Sequence, residues 1–388
     1  MSTLAPLAAP PLAVYVHWPY CARVCPYCDF NVVRDRGQAE QAALAEAIVR
    51  DLQGQAALIG SRRLVSVFFG GGTPSLMRPE WAARIVEAAR GLWTPAERVE
   101  ITLEANPTDA EADHFTAFAD AGVNRLSLGV QSFDDAALRF LGRNHGAAEA
   151  RRAAGLARER FEQLSLDLIY ALPGQTTEAW AAQIDQALTF QPDHVSPYQL
   201  TIEAGTAFGR AAERGTLTPA SEDAGADLYE LTQDRLRGAG LEAYEVSNHA
   251  RGLAARSRHN LAYWRGEDYV GAGPGAHGRL TVAGARMATE AERGVKAYIA
   301  AVRRTGVGFA GRETLSPRQT ALERLLMGLR TVEGVCWRDL AALGLRPDSA
   351  QAVELAALGL IDRDASRLRA TAAGRPVLDR VVTELADG

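Results

Sequence analysis

Six short, apolar, β-prone segments recur through the first two hundred residues, and helix-length stretches separate them. The strand-like segments are 12–17, 64–69, 99–104, 124–130, 162–169 and 193–200. Between them lie Ala-, Leu-, Arg- and Glu-rich stretches at 38–53, 79–91, 109–121, 147–159 and 176–189. A strand followed by a helix and another strand predicts parallel pairing, because the helix returns the chain to the same end of the sheet. Six such units predict a barrel or partial barrel; an open doubly wound sheet is the alternative. In a (β/α) barrel, chemistry collects where the strands end. Glu104, Gln131 and Asp167 lie at or near such ends, with Gly70-Gly-Gly-Thr-Pro-Ser75 and a cysteine cluster. Loops are polar in any case, so the weight comes from several consecutive units agreeing.

The cysteine cluster is Cys21-Ala-Arg-Val-Cys25-Pro-Tyr-Cys28, directly after the first strand. Three thiolates are one short of a closed tetrahedral zinc site and one short of a fully thiolate-ligated [4Fe–4S] cluster. The remaining cysteine, Cys336, is far downstream among apolar residues and reads as a buried small hydrophobe. A cluster with one iron left open fits this count; a zinc knuckle completed by His17 and three incidental cysteines are the alternatives. Clustered cysteines without a paired framework predict a reducing, cytoplasmic setting. Met1–Pro11 lacks a basic start and does not read as a signal peptide, and no apolar run reaches membrane-span length. A net charge of −5 and a pI near 5.9 argue against nonspecific nucleic-acid binding. Lys296 is the only lysine, so individual arginines gain meaning only from context.

Domain boundaries are expected near residues 245 and 310. Residues 1–245 make the barrel, 246–310 a long connecting segment, and 311–388 a small accessory domain. The last has helical stretches at 316–330, 337–343 and 348–358, a hairpin-like piece at 359–370 and a final helix, a winged-helix-like order without a dense basic face.

The Gly70–Ser75 loop is not a phosphate-binding P-loop, since no Gly-Lys-Ser/Thr follows. Its glycines free the backbone to approach an amino-acid-like ligand, and S-adenosylmethionine offers an amine and a carboxylate for an open iron. Glu104-Ala-Asn106-Pro107 supplies a carboxylate for ribose hydroxyls or an ammonium, or else a helix-capping loop. Gln131, Arg143 and Asp167 each read equally well as satisfied buried polar groups. His259, in His-Asn-Leu-Ala-Tyr263-Trp264, suits an axial haem ligand or a flat aromatic ligand, against a structural histidine. His277 is its rival.

Together these motifs resemble the radical S-adenosylmethionine (SAM) superfamily, and more narrowly the oxygen-independent coproporphyrinogen III oxidase group. The resemblance rests on Tyr15-Val-His-Trp-Pro-Tyr-Cys21 through Cys28, Gly-Gly-Gly-Thr-Pro-Ser, Glu-Ala-Asn-Pro and Gly-Val-Gln-Ser-Phe. It continues through Leu-Asp-Leu-Ile-Tyr-Ala-Leu-Pro-Gly-Gln and Arg-His-Asn-Leu-Ala-Tyr-Trp. It covers most of residues 12–280. The oxidases resemble CxxxCxxCxC with a longer N-terminal extension. Here Phe30 stands two residues after Cys28, and only twenty residues precede Cys21. Both departures point to the haem-chaperone (HemW-type) branch.

The resemblance implies a partial (β/α)6 radical-SAM barrel with a winged-helix-like C-terminal domain. It implies that Cys21, Cys25 and Cys28 hold a [4Fe–4S] cluster whose fourth iron SAM chelates. Tyr15, Tyr27, Gly71, Gly72, Thr73, Glu104, Gln131, Arg143 and Asp167 match positions that contact SAM in the oxidases, and His259 matches the proposed haem ligand. It further implies haem delivery to membrane haemoproteins, with transient membrane association. Oxidative decarboxylation of coproporphyrinogen III and a purely scaffolding role are the alternatives.

Overall fold

The computed structural model describes residues 9–35 and 37–386. Residues 1–8, most of the N-terminal stretch read above, lie outside the described residues.

One large sheet organises the chain. Its first six strands are β1 (Pro11–Trp18), β2 (Arg63–Gly71), β3 (Thr94–Ala105), β4 (Arg125–Gln131), β5 (Gln163–Tyr170) and β6 (His194–Gln199). They pair in parallel, in chain order. Helices Gln38–Ile59, Pro79–Leu92, Ala147–Arg160 and Thr177–Leu188 fill four of the crossovers. The stretch between β3 and β4 is two short helices, Asp109–Ala112 and Phe115–Asp120, rather than one. Glu111 turns back to accept hydrogen bonds from Ser75 Oγ and the Asn106 N–H, which ties that first turn to the loop before it.

Alternation within the strands decides what faces where. Leu12, Val14, Val16, Val67, Phe69, Ile101, Leu103, Leu126, Leu128, Leu164 and Leu166 enter the main hydrophobic core with the helices. The intervening positions face a central cavity and are largely polar: Thr102, Glu104, Arg125, Ser127, Ser165, Asp167, His194 and Ser196. Register aligns them in layers, with Glu104 opposite Ser127, Ser127 opposite Ser165, and Asp167 opposite Ser196. The interior is therefore an open chamber with polar groups set along its strands, unlike the packed interior of a closed eight-stranded barrel.

Residues 242–314 complete the sheet on both edges. β7 (Glu242–Ala243) and β8 (His249–Ala250) close one edge, β8 antiparallel to β6. The chain then crosses to the other edge, where β9 (Asp268–Ala272) runs parallel to β1. β10 (His277–Val282), β11 (Ala285–Ala291) and β12 (Phe309–Thr314) extend that edge antiparallel. The segment between barrel and accessory domain thus contributes strands as well as a connection. Cross-sheet order is β12-β11-β10-β9-β1-β2-β3-β4-β5-β6-β8-β7.

The C-terminal part has its own core, including Leu325, Leu340, Leu355, Leu368, Val381 and Leu385. Helices Pro317–Gly328, Ala350–Ala357 and Leu378–Ala386 pack with a three-stranded wing in which Arg367–Ala370 is central. Cys336 is half-buried in this wing rather than buried, and its sulfur lies 3.3 Å from Arg367 Nη1.

Candidate functional site

A cavity of about 720 Å³ occupies the barrel interior and opens at the C-terminal ends of the strands. Tyr15, Cys21, Cys25, Tyr27, Cys28, Gly71, Gly72, Thr73, Glu104, Gln131, Arg143, Asp167 and His259 all line it. Every site residue expected from the sequence is therefore gathered into one space; His277 and Cys336 are outside its lining.

The cysteine loop leaves β1 at Trp18. Tyr20–Cys21 pairs in parallel with Val33–Arg34, which closes the loop at its base. Cys21 is buried and Cys25 and Cys28 half-buried, and all are free thiols. Thr73 Oγ1 lies 3.6 Å from Cys21 Sγ, and Arg143 Nη1 lies 3.4 Å from Cys25 Sγ. Burial pushes the Cys21 thiol up to about 11 and raises Cys28. Three thiols sharing one loop resist joint ionisation unless a cationic group joins them.

His17 does not complete a zinc knuckle. Its Nε2 is 2.9 Å from the Asn31 carbonyl, which can only accept, so Nε2 bears the proton. Its Nδ1 then accepts from Tyr15 Oη at 2.9 Å, leaving no lone pair for a metal. Among the described residues, no group of three His, Cys, Asp or Glu side chains closes around a single ion. His17 instead begins a clasp: Asn31 Nδ2 donates to the carbonyls of Pro274 and Arg293, each at 2.9 Å. The far arm of the cysteine loop is thereby fastened to the turns flanking β10 and β11.

The glycines have a packing role beside the one expected. A Cβ on Gly71 would lie 2.5 Å from the His17 ring, and one on Gly72 would lie 2.7 Å from the Tyr20 carbonyl oxygen. The missing side chains make room for His17 of β1 and for the backbone where the cysteine loop begins. Their N–H groups are also committed: Gly71 to Glu104 at 3.2 Å, Gly72 to Trp18 O and Thr73 to Tyr20 O, both at 2.8 Å. What Gly71 and Gly72 can offer a ligand is carbonyl oxygen, an acceptor suited to an ammonium.

Deeper in lie two acids, Glu104 and Asp167, neither in a salt bridge among the described residues, though the Arg125 charge partly offsets that of Asp167. Asp167 accepts from Ser127 Oγ at 2.9 Å and from Ser165 Oγ at 3.4 Å. Burial raises both carboxyls, and the Asp167 charge adds to the effect on Glu104, which reaches about 8 despite the Gly71 N–H. Gln131 sits at a register shift between β4 and β5 with φ of 63°, a left-handed conformation uncommon outside glycine. Its Oε1 is buried without a partner, as is Arg143 Nε. Acids without a salt-bridge partner, an amide lacking a donor and a guanidinium N–H lacking an acceptor together suit a ligand with an ammonium, hydroxyls and a carboxylate.

His259 occupies helix Arg258–Trp264. Ser257 Oγ caps that helix on the Asn260 N–H at 3.2 Å, and Glu100 accepts the N–H groups of Arg258 and His259 at 2.9 and 3.2 Å. The imidazole stacks on Phe68 at 4.7 Å and on Tyr15 at 5.9 Å, and Nδ1 has no partner. Burial lowers its pKa to about 3, so the ring is neutral at ordinary pH, the form that ligates a metal.

The model of the Radical SAM superfamily matches residues 15–186, and that of the HemN C-terminal domain matches residues 315–377. "Heme chaperone HemW" of Escherichia coli K12 is 41% identical over 279 residues, covering 72% of each chain. That of Mycobacterium tuberculosis H37Rv is 37% identical over 385 residues, covering 98% of this chain and 96% of its own. The mouse mitochondrial "radical S-adenosyl methionine domain-containing protein 1" is 41% identical over 386 residues, covering 96% of this chain and 87% of its own. The chain belongs to the HemW-type family of radical SAM proteins. The structure of coproporphyrinogen III oxidase (HemN) from Escherichia coli superposes with a TM-score of 0.80 at 23% identity, covering 97% of this chain and 90% of that one, which shows the shared fold.

In this HemW-type chain, sequence reasoning overlooked Asn31 and the buried Arg125, and left Asn106 as a candidate helix cap. The alternating polar positions of β3–β5 carried a signal for the chamber. Nothing in the sequence tied Asn31 to residues 274 and 293.

Proposed function

We propose that this protein is a haem chaperone of the HemW type: it binds haem, holds a [4Fe–4S] cluster with SAM beside it, and passes haem to membrane haemoproteins. The observation that carries the reading is that three free thiols, two buried acids with raised pKa values and a neutral imidazole with an unpartnered Nδ1 share one cavity. Cys21, Cys25 and Cys28 would hold the cluster, which supplies low-potential one-electron chemistry and an open iron for the cofactor's amine and carboxylate. Arg143 Nε is available to a carboxylate, and the Gly71 and Gly72 carbonyls with Glu104 to an ammonium. Asp167 and Gln131 are available to ribose hydroxyls, and Tyr15 and Tyr27 wall the site. Since the Tyr15 hydroxyl donates to His17, Tyr15 serves as a surface and an acceptor.

Haem, as cargo, would be ligated through the neutral imidazole of His259. Phe68 and Tyr15 hold that ring in place. Phe30, the residue that departs from the oxidase pattern, is 63% exposed where the cysteine loop meets the cavity, and offers an apolar edge to a macrocycle. Handover to a membrane-bound recipient fits cytoplasmic residence with transient membrane contact; among the described residues no helix is long and apolar enough to cross a membrane.

Haem titration followed by its Soret band tests the reading. One haem is expected per chain, with a band that weakens or shifts in His259→Ala and is unaltered in His277→Ala. An unchanged spectrum in His259→Ala refutes the ligand assignment. Conversion of coproporphyrinogen III to protoporphyrinogen IX by anaerobic, dithionite-reduced protein with SAM would establish the oxidase reading instead.

A further inference from the structure

Asn106 stands one residue beyond β3, next to Pro107, and touches no cysteine itself. Its backbone N–H is held by Glu111 Oε2 at 2.9 Å. That bond fixes the residue independently of its side chain, so the amide is free to act in two directions. Nδ2 donates to Thr73 Oγ1 at 3.1 Å, and Oδ1 accepts from Arg143 Nη2. Each of those partners faces a different cysteine. Thr73 Oγ1 accepts a hydrogen bond from Asn106 and donates its own hydrogen toward Cys21 Sγ, 3.6 Å away. Arg143 Nη2 is pinned by Asn106 and by the Gly129 carbonyl at 3.0 Å, which aims Nη1 at Cys25 Sγ, 3.4 Å away.

We propose that Asn106 is a positioning residue that sets the hydrogen bonds to two of the three cluster cysteines, and so tunes how readily the cluster accepts an electron. The proposal rests on the reading that Cys21, Cys25 and Cys28 hold a [4Fe–4S] cluster. One-electron reduction adds negative charge that spreads onto the ligand sulfurs. Donors aimed at those sulfurs stabilise the reduced form and raise its potential, and groups behind the ligands commonly do this tuning. An amide suits the position because it donates and accepts at once. A carboxylate could still hold Arg143 but not orient Thr73, and a hydroxyl is too short to reach both.

The experiment is a redox titration of anaerobically reconstituted full-length protein, with dithionite as electron donor and the reduced cluster followed by EPR. Four proteins are compared: wild type, Asn106→Ala, Thr73→Val and the double variant. Asn106→Ala should load iron and sulfide as wild type does but titrate at a lower potential. In the Thr73→Val background the same substitution should produce a smaller shift, because one of its two arms is already gone. An Asn106→Ala protein that titrates with wild type, or an equal shift in both backgrounds, overturns the proposal. If wild type takes up no iron and sulfide, the cluster reading has failed. The positioning role is then judged on a crystal structure of cluster-free Asn106→Ala. Thr73 Oγ1 and Arg143 Nη1 must leave hydrogen-bond reach of Cys21 and Cys25; if they stay in place, the role is refuted.

Discussion

Glu104→Gln should make the cluster-free, ligand-free protein more stable in mild alkali and flatten its pH profile. Burial, reinforced by the nearby Asp167, raises the Glu104 carboxyl from 4.5 to about 8. Between those values the folded protein keeps a proton that the unfolded chain has released, so stability is highest below the unfolded pKa and falls as pH rises through the folded one. At 1.36 kcal/mol per pKa unit, the loss is about 5 kcal/mol over the whole window and about 3 kcal/mol between pH 5.5 and 8. Water entering the cavity lowers the penalty, so these are ceilings. The amide in Glu104→Gln keeps an acceptor for the Gly71 N–H but cannot ionise. Urea unfolding of both proteins at half-unit steps from pH 5.5 to 8.5 measures the difference directly. The wild-type curve should drop relative to the variant by about 2–3 kcal/mol over that range. Parallel profiles would refute the reasoning: Glu104 would then be hydrated, and the acid pair would not be waiting for a cation.

Two further substitutions test the packing around the cysteine loop. In Gly71→Ala the new methyl meets the His17 ring at 2.5 Å on a residue with φ of 107°. The ring must move, and a loss of about 2–4 kcal/mol is expected in denaturant unfolding; a variant as stable as wild type would mean the loop has slack. Asn31→Ala removes two hydrogen bonds that fasten the loop to the carbonyls of Pro274 and Arg293. It should cost about 1–2 kcal/mol and raise amide hydrogen exchange in residues 28–35 while β4 stays protected; uniform exchange across the chain would contradict a local clasp.

The order of elements and the cysteine loop were legible in sequence because both are local. Period-two apolar positions such as Leu12, Val14 and Val16 declare a strand within a few residues, and the CxxxCxxC spacing places three thiols in one short loop. The helix expected over 109–121 divides in two, and Glu111 in its first part bonds to Ser75, a partner far away in the chain. Other features existed only after folding. Gly71 and Gly72 leave room for His17 and for the Pro19–Tyr20 backbone, a need that only the folded chain reveals. Asn106 matters through Thr73 and Arg143, and Asn31 through two turns more than two hundred residues downstream. The acidity of Glu104 is set by its burial in the cavity and then by Asp167. Local periodicity fixes which way a side chain points, whereas burial, charge pairing and hydrogen-bond partners depend on what the folded sheet brings opposite it.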